Sequence, residues 1–340
     1  MRRRLLQSTA TQEENNNELI LTYNVTSTSS EIQLISSLNA GTILNYDYPE
    51  WDISQLKRMY IDDVEYTPKK THKFTSTGTH TVKLHFNDSF NSMGMMFSQC
   101  AALTSVDFTN CDLSNVTNMG GIWGDCTSLT SINFANVDTS NVVTMMGMFD
   151  TCTALTSVDL SPLNTSKVTE FAYMFNGCTS LTSIDMSMLD TSSLIDLYKT
   201  FCGCTNLLTA DLSGFITTKV TDFSYMFQGC AKITTIDMRN IGSANITSTS
   251  SYGYMFAGCK ALTTLYWGMK TAPSVYSNTF GSSTSSNNTN VYAGYSNRRN
   301  GTNKLYLPSG NSGYTTNSNS NYWRSRLCST SYCGFSITTF

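Results

Sequence analysis

Cysteines stand at 100, 126, 152, 178, 204 and 230, each 26 residues after the last, and again at 259 after an interval of 29. Thiols can ligate a metal, cross-link or attack, but a zinc site wants paired ligands roughly two to four residues apart. One thiol per 26 residues, always with Leu or Ile three positions on, fits a small apolar group at the foot of a buried column. Cys100, Cys126, Cys152, Cys178, Cys204, Cys230 and Cys259 are therefore expected to form a structural ladder, kept reduced during assembly. Cys202 lies two before Cys204 and is expected outside; Cys328 and Cys333 enclose a short loop that could close as a disulfide.

Asp107, Asp159, Asp185, Asp211 and Asp237 form a second column, with Asn133 in the same place in the second copy. If each lies on a short strand, the carboxylates project from one face about 4.8 Å apart. Like charges at that distance repel by around 1 kcal/mol in water, so the column could recruit Ca²⁺ or a cationic partner. Alternatively, the carboxylates are solvated and accept hydrogen bonds from neighbouring Ser and Thr. The histidines, His72, His80 and His85, all precede the repeats and are expected to be exposed. Neither Cys/His nor Ser/His/Asp chemistry then has an obvious base. Paired carboxylates could hydrolyse a glycan, but the Asp column is too regular to single out an acid and a base. The residues point to a protein that is not an enzyme and has no resident cofactor or metal.

The elements that would position these columns repeat with the cysteines. Each Cys opens a CxxLxxLxL-like frame, as in Cys152, Leu155, Val158, Leu160 and in Cys178, Leu181, Ile184, Met186. The last apolar pair alternates with a polar residue, the period of a short strand buried on one face. The other half of each copy carries a set such as Val116, Met119, Ile122, Trp123 or Val168, Phe171, Met174, Phe175. Its spacing of three, three and one suits a helical or irregular turn. Neither half can bury its own apolar face, so the copies must stack. The three extra residues before Cys259 are placed in Ser248 to Tyr252.

Upstream, Leu19 to Val25 and Thr81 to Phe86 alternate, and Met59-Tyr60-Ile61 and Val64-Glu65-Tyr66 flank a turn at Asp62-Asp63. Downstream, Lys304-Leu305-Tyr306-Leu307-Pro308 reads as one more strand between polar loops. The expected fold is a β-rich repeat solenoid with one short strand per 26-residue turn. Residues 1–17 would be a flexible arm, 18–89 a small β-domain capping the N-terminus, 90–270 about seven repeats, and 271–340 a C-terminal cap. Trp323, Arg324 and Arg326 in that cap are of the types that interfaces favour.

Charged residues are 13% of the chain and the net charge is -3. The distribution is uneven: residues 90–270 hold seven basic and thirteen acidic side chains, and 271–340 hold five basic and none acidic. The two could bring neighbouring copies together, within the reach of about 8 Å that physiological salt allows. No dense basic patch interleaved with aromatics points to nucleic acid. No stretch approaches the roughly 18 apolar residues of a membrane span.

Phrases such as Met174-Phe175-Asn176-Gly177-Cys178-Thr179-Ser180-Leu181-Thr182-Ser183-Ile184-Asp185, with Asp138-Thr139-Ser140-Asn141-Val142 upstream, resemble the BspA-type leucine-rich repeats of bacterial surface proteins. The resemblance covers roughly residues 93–270 and holds in seven consecutive copies. It implies a leucine-rich-repeat fold and an adhesion or protein-binding role, found in bacterial surface proteins, mycoplasma lipoproteins and viruses of gut bacteria. Met1-Arg2-Arg3-Arg4-Leu5-Leu6 opens like a secretory signal, but Gln7-Ser8-Thr9 follows where an apolar run is required, and no Cys precedes Cys100 to accept a lipid. The expectation is a virion component, in tail or capsid decoration, that binds a protein or glycan on a cell surface or other virion proteins. A bacterial cell-surface adhesin is the alternative, and a glycan hydrolase on a repeat scaffold a third.

Overall fold

The computed structural model describes residues 17–37, 51–239, 253–267, 303–307 and 335–339. It is β-rich, with no α-helix among the described residues and three sheets, none closed. In chain order the elements are β1 (Glu18–Val25), β2 (Ile32–Gln33), a 3₁₀ turn (Ile53–Gln55), β3 (Leu56–Ile61), β4 (Val64–Tyr66), β5 (Thr71–His72) and β6 (Gly78–Phe86). The repeats and the C-terminal part contribute β7 (Leu103–Asn110), β8 (Ser131–Asn133), β9 (Thr209–Asp211), β10 (Thr235–Met238), β11 (Thr264–Trp267), β12 (Asn303–Leu307) and β13 (Phe335–Thr339). Alternation in β1 buries Leu19, Leu21, Tyr23 and Val25. Asp62 and Asp63 take positive φ, the two-residue turn that lets β3 and β4 twist correctly as a hairpin.

The strand β1 pairs antiparallel with both β6 and β7, and β7 pairs parallel with β8. The N-terminal strands thus run into the ladder of the first two repeats as one sheet, in the order β4-β3-β6-β1-β7-β8. A second sheet runs β9, β10, β11, β12, β13, all parallel. The register of β9 to β10 is 26 residues and that of β10 to β11 is 29, while the Tyr225 N–H reaches the Gly253 carbonyl. The three extra residues therefore enter between Met238 and Gly253; Ser248 to Tyr252, where they were expected, lie outside the described residues. The strand β12 falls where the sequence placed one.

One expectation needs correcting. A strand in every repeat is not found: 157–159 and 183–185 carry none, so strand pairing lapses between β8 and β9. The local residues, Ser-Val-Asp and Ser-Ile-Asp, match those of the paired turns, so the lapse is decided by how the turns stack. In the other half of each repeat, the spacing of three, three and one takes the irregular of the two expected forms, a turn and not a helix. Two residues four apart in each copy, such as Gly121 and Asp125 or Tyr173 and Gly177, have positive φ, which a right-handed helix cannot contain. Main-chain groups there bond to the next repeat: Met119, Gly121, Trp123 and Asp125 donate N–H to the carbonyls of Thr144, Met146, Met148 and Asp150 at 2.7–3.2 Å. Isolated parallel bridges link Ser92, Asn118, Thr144, Glu170, Asp196 and Asp222 in one unbroken row.

Between the two faces lies one core. Trp123, Phe149, Phe175, Phe201, Phe227 and Phe256 stack with ring centroids 5.1–6.1 Å apart. All seven ladder cysteines are buried beside them as free thiols.

Candidate functional site

The Asp column sits on the strand face, and each carboxylate is first a turn former. Asp107, Asp159, Asp185 and Asp211 accept the backbone N–H two residues on at 2.9 Å, as Asn133 does at 3.0 Å. Bonds from Ser161, Ser187 and Ser213 hold the Asp159, Asp185 and Asp211 carboxyls below the usual range. Asp237 differs: it is buried and bound by the Arg239 guanidinium, Nη2 to Oδ2 at 2.6 Å. No three His, Cys, Asp or Glu side chains among the described residues converge to hold a metal ion. Where strand pairing lapses, Asp159 and Asp185 line an open groove of about 320 Å³ together with Val158, Ile184 and Met188. Trp323, Arg324, Arg326, Cys328 and Cys333 lie outside the described residues.

The opposite face carries a constellation that the sequence reading passed over. Tyr173, Tyr198, Tyr225 and Tyr254 form a row with centroids 5.1–5.7 Å apart, and the Lys199 Nζ lies 5.3–5.5 Å from the first three rings. Below them Glu170, Asp196 and Asp222 occupy successive bridge positions. Burial, then the neighbouring Asp222 and Glu170, pushes the Asp196 carboxyl up to about 6. Burial likewise pushes Asp150 up to about 6, against hydrogen bonds from Asn176 and Thr151. The signal was present: Tyr173 and Tyr225 are two periods apart, and Tyr254 follows with the three-residue insertion. Their periodicity was masked because Lys199 takes the middle position and Tyr198 stands one residue earlier.

His80, expected exposed, is 7% exposed. Its ring packs 4.3 Å from Phe74, Nδ1 lies 2.6 Å from Asp62 Oδ2, and Nε2 lies 3.0 Å from the Ser76 carbonyl and 3.5 Å from Ser76 Oγ. The residues are those of a hydrolytic triad, but both ring nitrogens face acceptors, so the histidine ties the β3–β4 turn to the 74–78 loop. His85 lies 3.2 Å from Glu18.

Two successive matches, over residues 91–187 and 178–292, identify the family described as Mycoplasma protein of unknown function, DUF285. Together they span more than half of the chain, and the chain belongs to that family, which is associated with BspA-like surface repeat proteins. No curated protein and no solved structure shows significant similarity to the chain. No helix among the described residues is long and apolar enough to cross a membrane.

Proposed function

We propose that the chain is a leucine-rich-repeat-type solenoid that acts as a non-catalytic recognition module for a protein or glycan. The supporting observation is register: the same repeat position falls directly above itself from turn to turn, as in the bridge row from Ser92 to Asp222. A single side chain chosen at one position therefore becomes a column, and the two faces carry different columns. One is acidic and Ser-rich; the other has tyrosines, Lys199 and half-buried carboxylates. Repeated polar and aromatic columns of this kind suit contact with an extended partner.

In this reading the module decorates a phage tail or capsid and contacts the host surface. Membership of a family associated with surface repeat proteins also favours a second placement, as a bacterial adhesin. Quantitative mass spectrometry of the native source tests both. Stoichiometric recovery in purified virus particles is the expected result. Enrichment on the cell envelope with none in particles would overturn the virion placement in favour of the adhesin.

A further inference from the structure

The groove between 157–161 and 183–189 combines two features. Its lining includes the apolar Val158, Ile184, Leu189 and Met188, and Met188 is 73% exposed, the highest value among the large hydrophobic residues described. The lining also holds Asp159 and Asp185, kept ionised by the hydrogen bonds they accept, and no basic side chain. A lining that is both acidic and apolar fits an occupant that is both basic and aromatic.

The C-terminal part of this chain contains a compact segment of that kind. Residues 271–340 carry five basic and no acidic side chains, and Tyr322-Trp323-Arg324-Ser325-Arg326 places two aromatic rings and two guanidinium groups within five residues. In an extended segment Arg324 and Arg326 share a side, about 7 Å apart, and carboxylates on adjacent turns are about 4.8 Å apart, so each Arg can take one Asp in a bidentate pair. An indole beside the exposed Met188 gains a sulfur–aromatic contact.

Geometry disfavours the same molecule as the source. The strand β13 begins at Phe335, nine residues after Arg326, and it is four strand spacings from β9. The groove lies one to two turns further still, so the span is about 25–30 Å. Nine residues reach about 30 Å only when fully extended, so docking within one chain would need a taut linker, whereas docking between chains would not.

We propose that this groove docks the Tyr322–Arg326 segment of a second copy, so that the protein self-associates through its acidic strand face and its basic C-terminal segment. Reciprocal docking closes a two-fold dimer. The test is sedimentation equilibrium of the full chain at low and high salt. Wild type should show a monomer–dimer equilibrium that weakens with salt. Asp159→Asn with Asp185→Asn should weaken it by about tenfold or more, and so should Arg324→Gln with Arg326→Gln. The Asn variants keep the turn-capping acceptor, as Asn133 does in its own turn. The deciding sample is a mixture. A chain with Asp159→Arg and Asp185→Arg, and a chain with Arg324→Glu and Arg326→Glu, should each stay monomeric alone and form a heterodimer together. A monomeric wild type, or a mixture that stays monomeric, overturns the proposal. No external target enters this test, so its failure leaves the recognition reading untouched, and a failure of that reading leaves the dimer standing.

Discussion

From Cys126 onward, each ladder cysteine donates its Sγ–H to the main-chain carbonyl of the aromatic position one turn back: Cys126 to Phe97, Cys152 to Trp123, Cys178 to Phe149 and so on, at 3.0–3.2 Å. This is a use for sulfur that a purely apolar reading does not supply, since Ala or Val could fill the space but not make the bond. Cys100 has no earlier turn, and the Tyr23 hydroxyl lies against it instead. Asp150 shows the opposite economy, a carboxyl held where its charged form is disfavoured. Because burial raises its folded pKa to about 6, from an ordinary value of 3.8, the folded state binds the extra proton. Its contribution is therefore favourable in acid and is lost as pH rises through about 6. Asp150→Asn keeps the acceptor for Asn176 and Thr151 and removes the charge. The variant should match wild type near pH 4 and exceed it by on the order of 1–2 kcal/mol above pH 7 in urea denaturation. Equal stabilities at both pH values would refute that account.

At the scale of the element, the turn-side segment is ordered by its neighbours rather than by its own bonds. The residues with positive φ swing successive N–H and C=O groups out along the stack axis, where the next repeat receives them. Gly177, Gly203, Gly229 and Gly258 occupy one such position in successive turns, and the last three each lie close to the glycine before: a Cβ on Gly203 would lie 3.5 Å from the Gly177 Cα. Space is therefore tight but not closed, and backbone conformation sets the cost. At φ +76°, Gly203→Ala should lose about 1 kcal/mol and the β-branched Gly203→Val about 2–3 kcal/mol, read as a shift in the denaturation midpoint at unchanged slope. An Ala variant as stable as wild type would show that the left-handed conformation is not required there.

Seen as a whole, the stack has a direction. On the turn side each repeat donates N–H groups to the following one, so the first turn is left with carbonyls that no earlier repeat can serve. The N-terminal segment supplies the donors: the Trp51 Nε1–H reaches the Ser92 carbonyl at 2.8 Å and the Ser36 N–H reaches that of Met96 at 2.8 Å. Trp51 is 3% exposed and also covers the end of the core. Trp51→Ala should cost about 3–5 kcal/mol. Trp51→Phe, which keeps most of the bulk but strands one carbonyl, should cost about 1–2 kcal/mol. Hydrogen exchange should localise the Ala effect to Met93, Met95 and Phe97, leaving Phe201 and Phe227 protected as before; uniform loss across all turns would mean that the cap does not act locally.

By itself the sequence determined the period, the ladder of cysteines, the alternation in β1, the Asp62-Asp63 turn and the strand at β12, because each of these is written in local spacing that hydrophobic burial and turn geometry read directly. The strand β13 was also legible, in the alternation of Phe335, Ile337 and Thr339, though it went unread. What only the tertiary structure decided were relations between turns. Whether the turn segment bonds along itself or to its neighbour depends on left-handed residues such as Tyr173 and Lys199, whose types do not announce that conformation. The lapse of strand pairing at 157–159 and 183–185 follows from stacking, since identical residue patterns pair elsewhere. The burial of His80, and the row of tyrosines around Lys199, arise from side chains brought together across separate strands or separate repeats, a proximity that no one-dimensional spacing specifies.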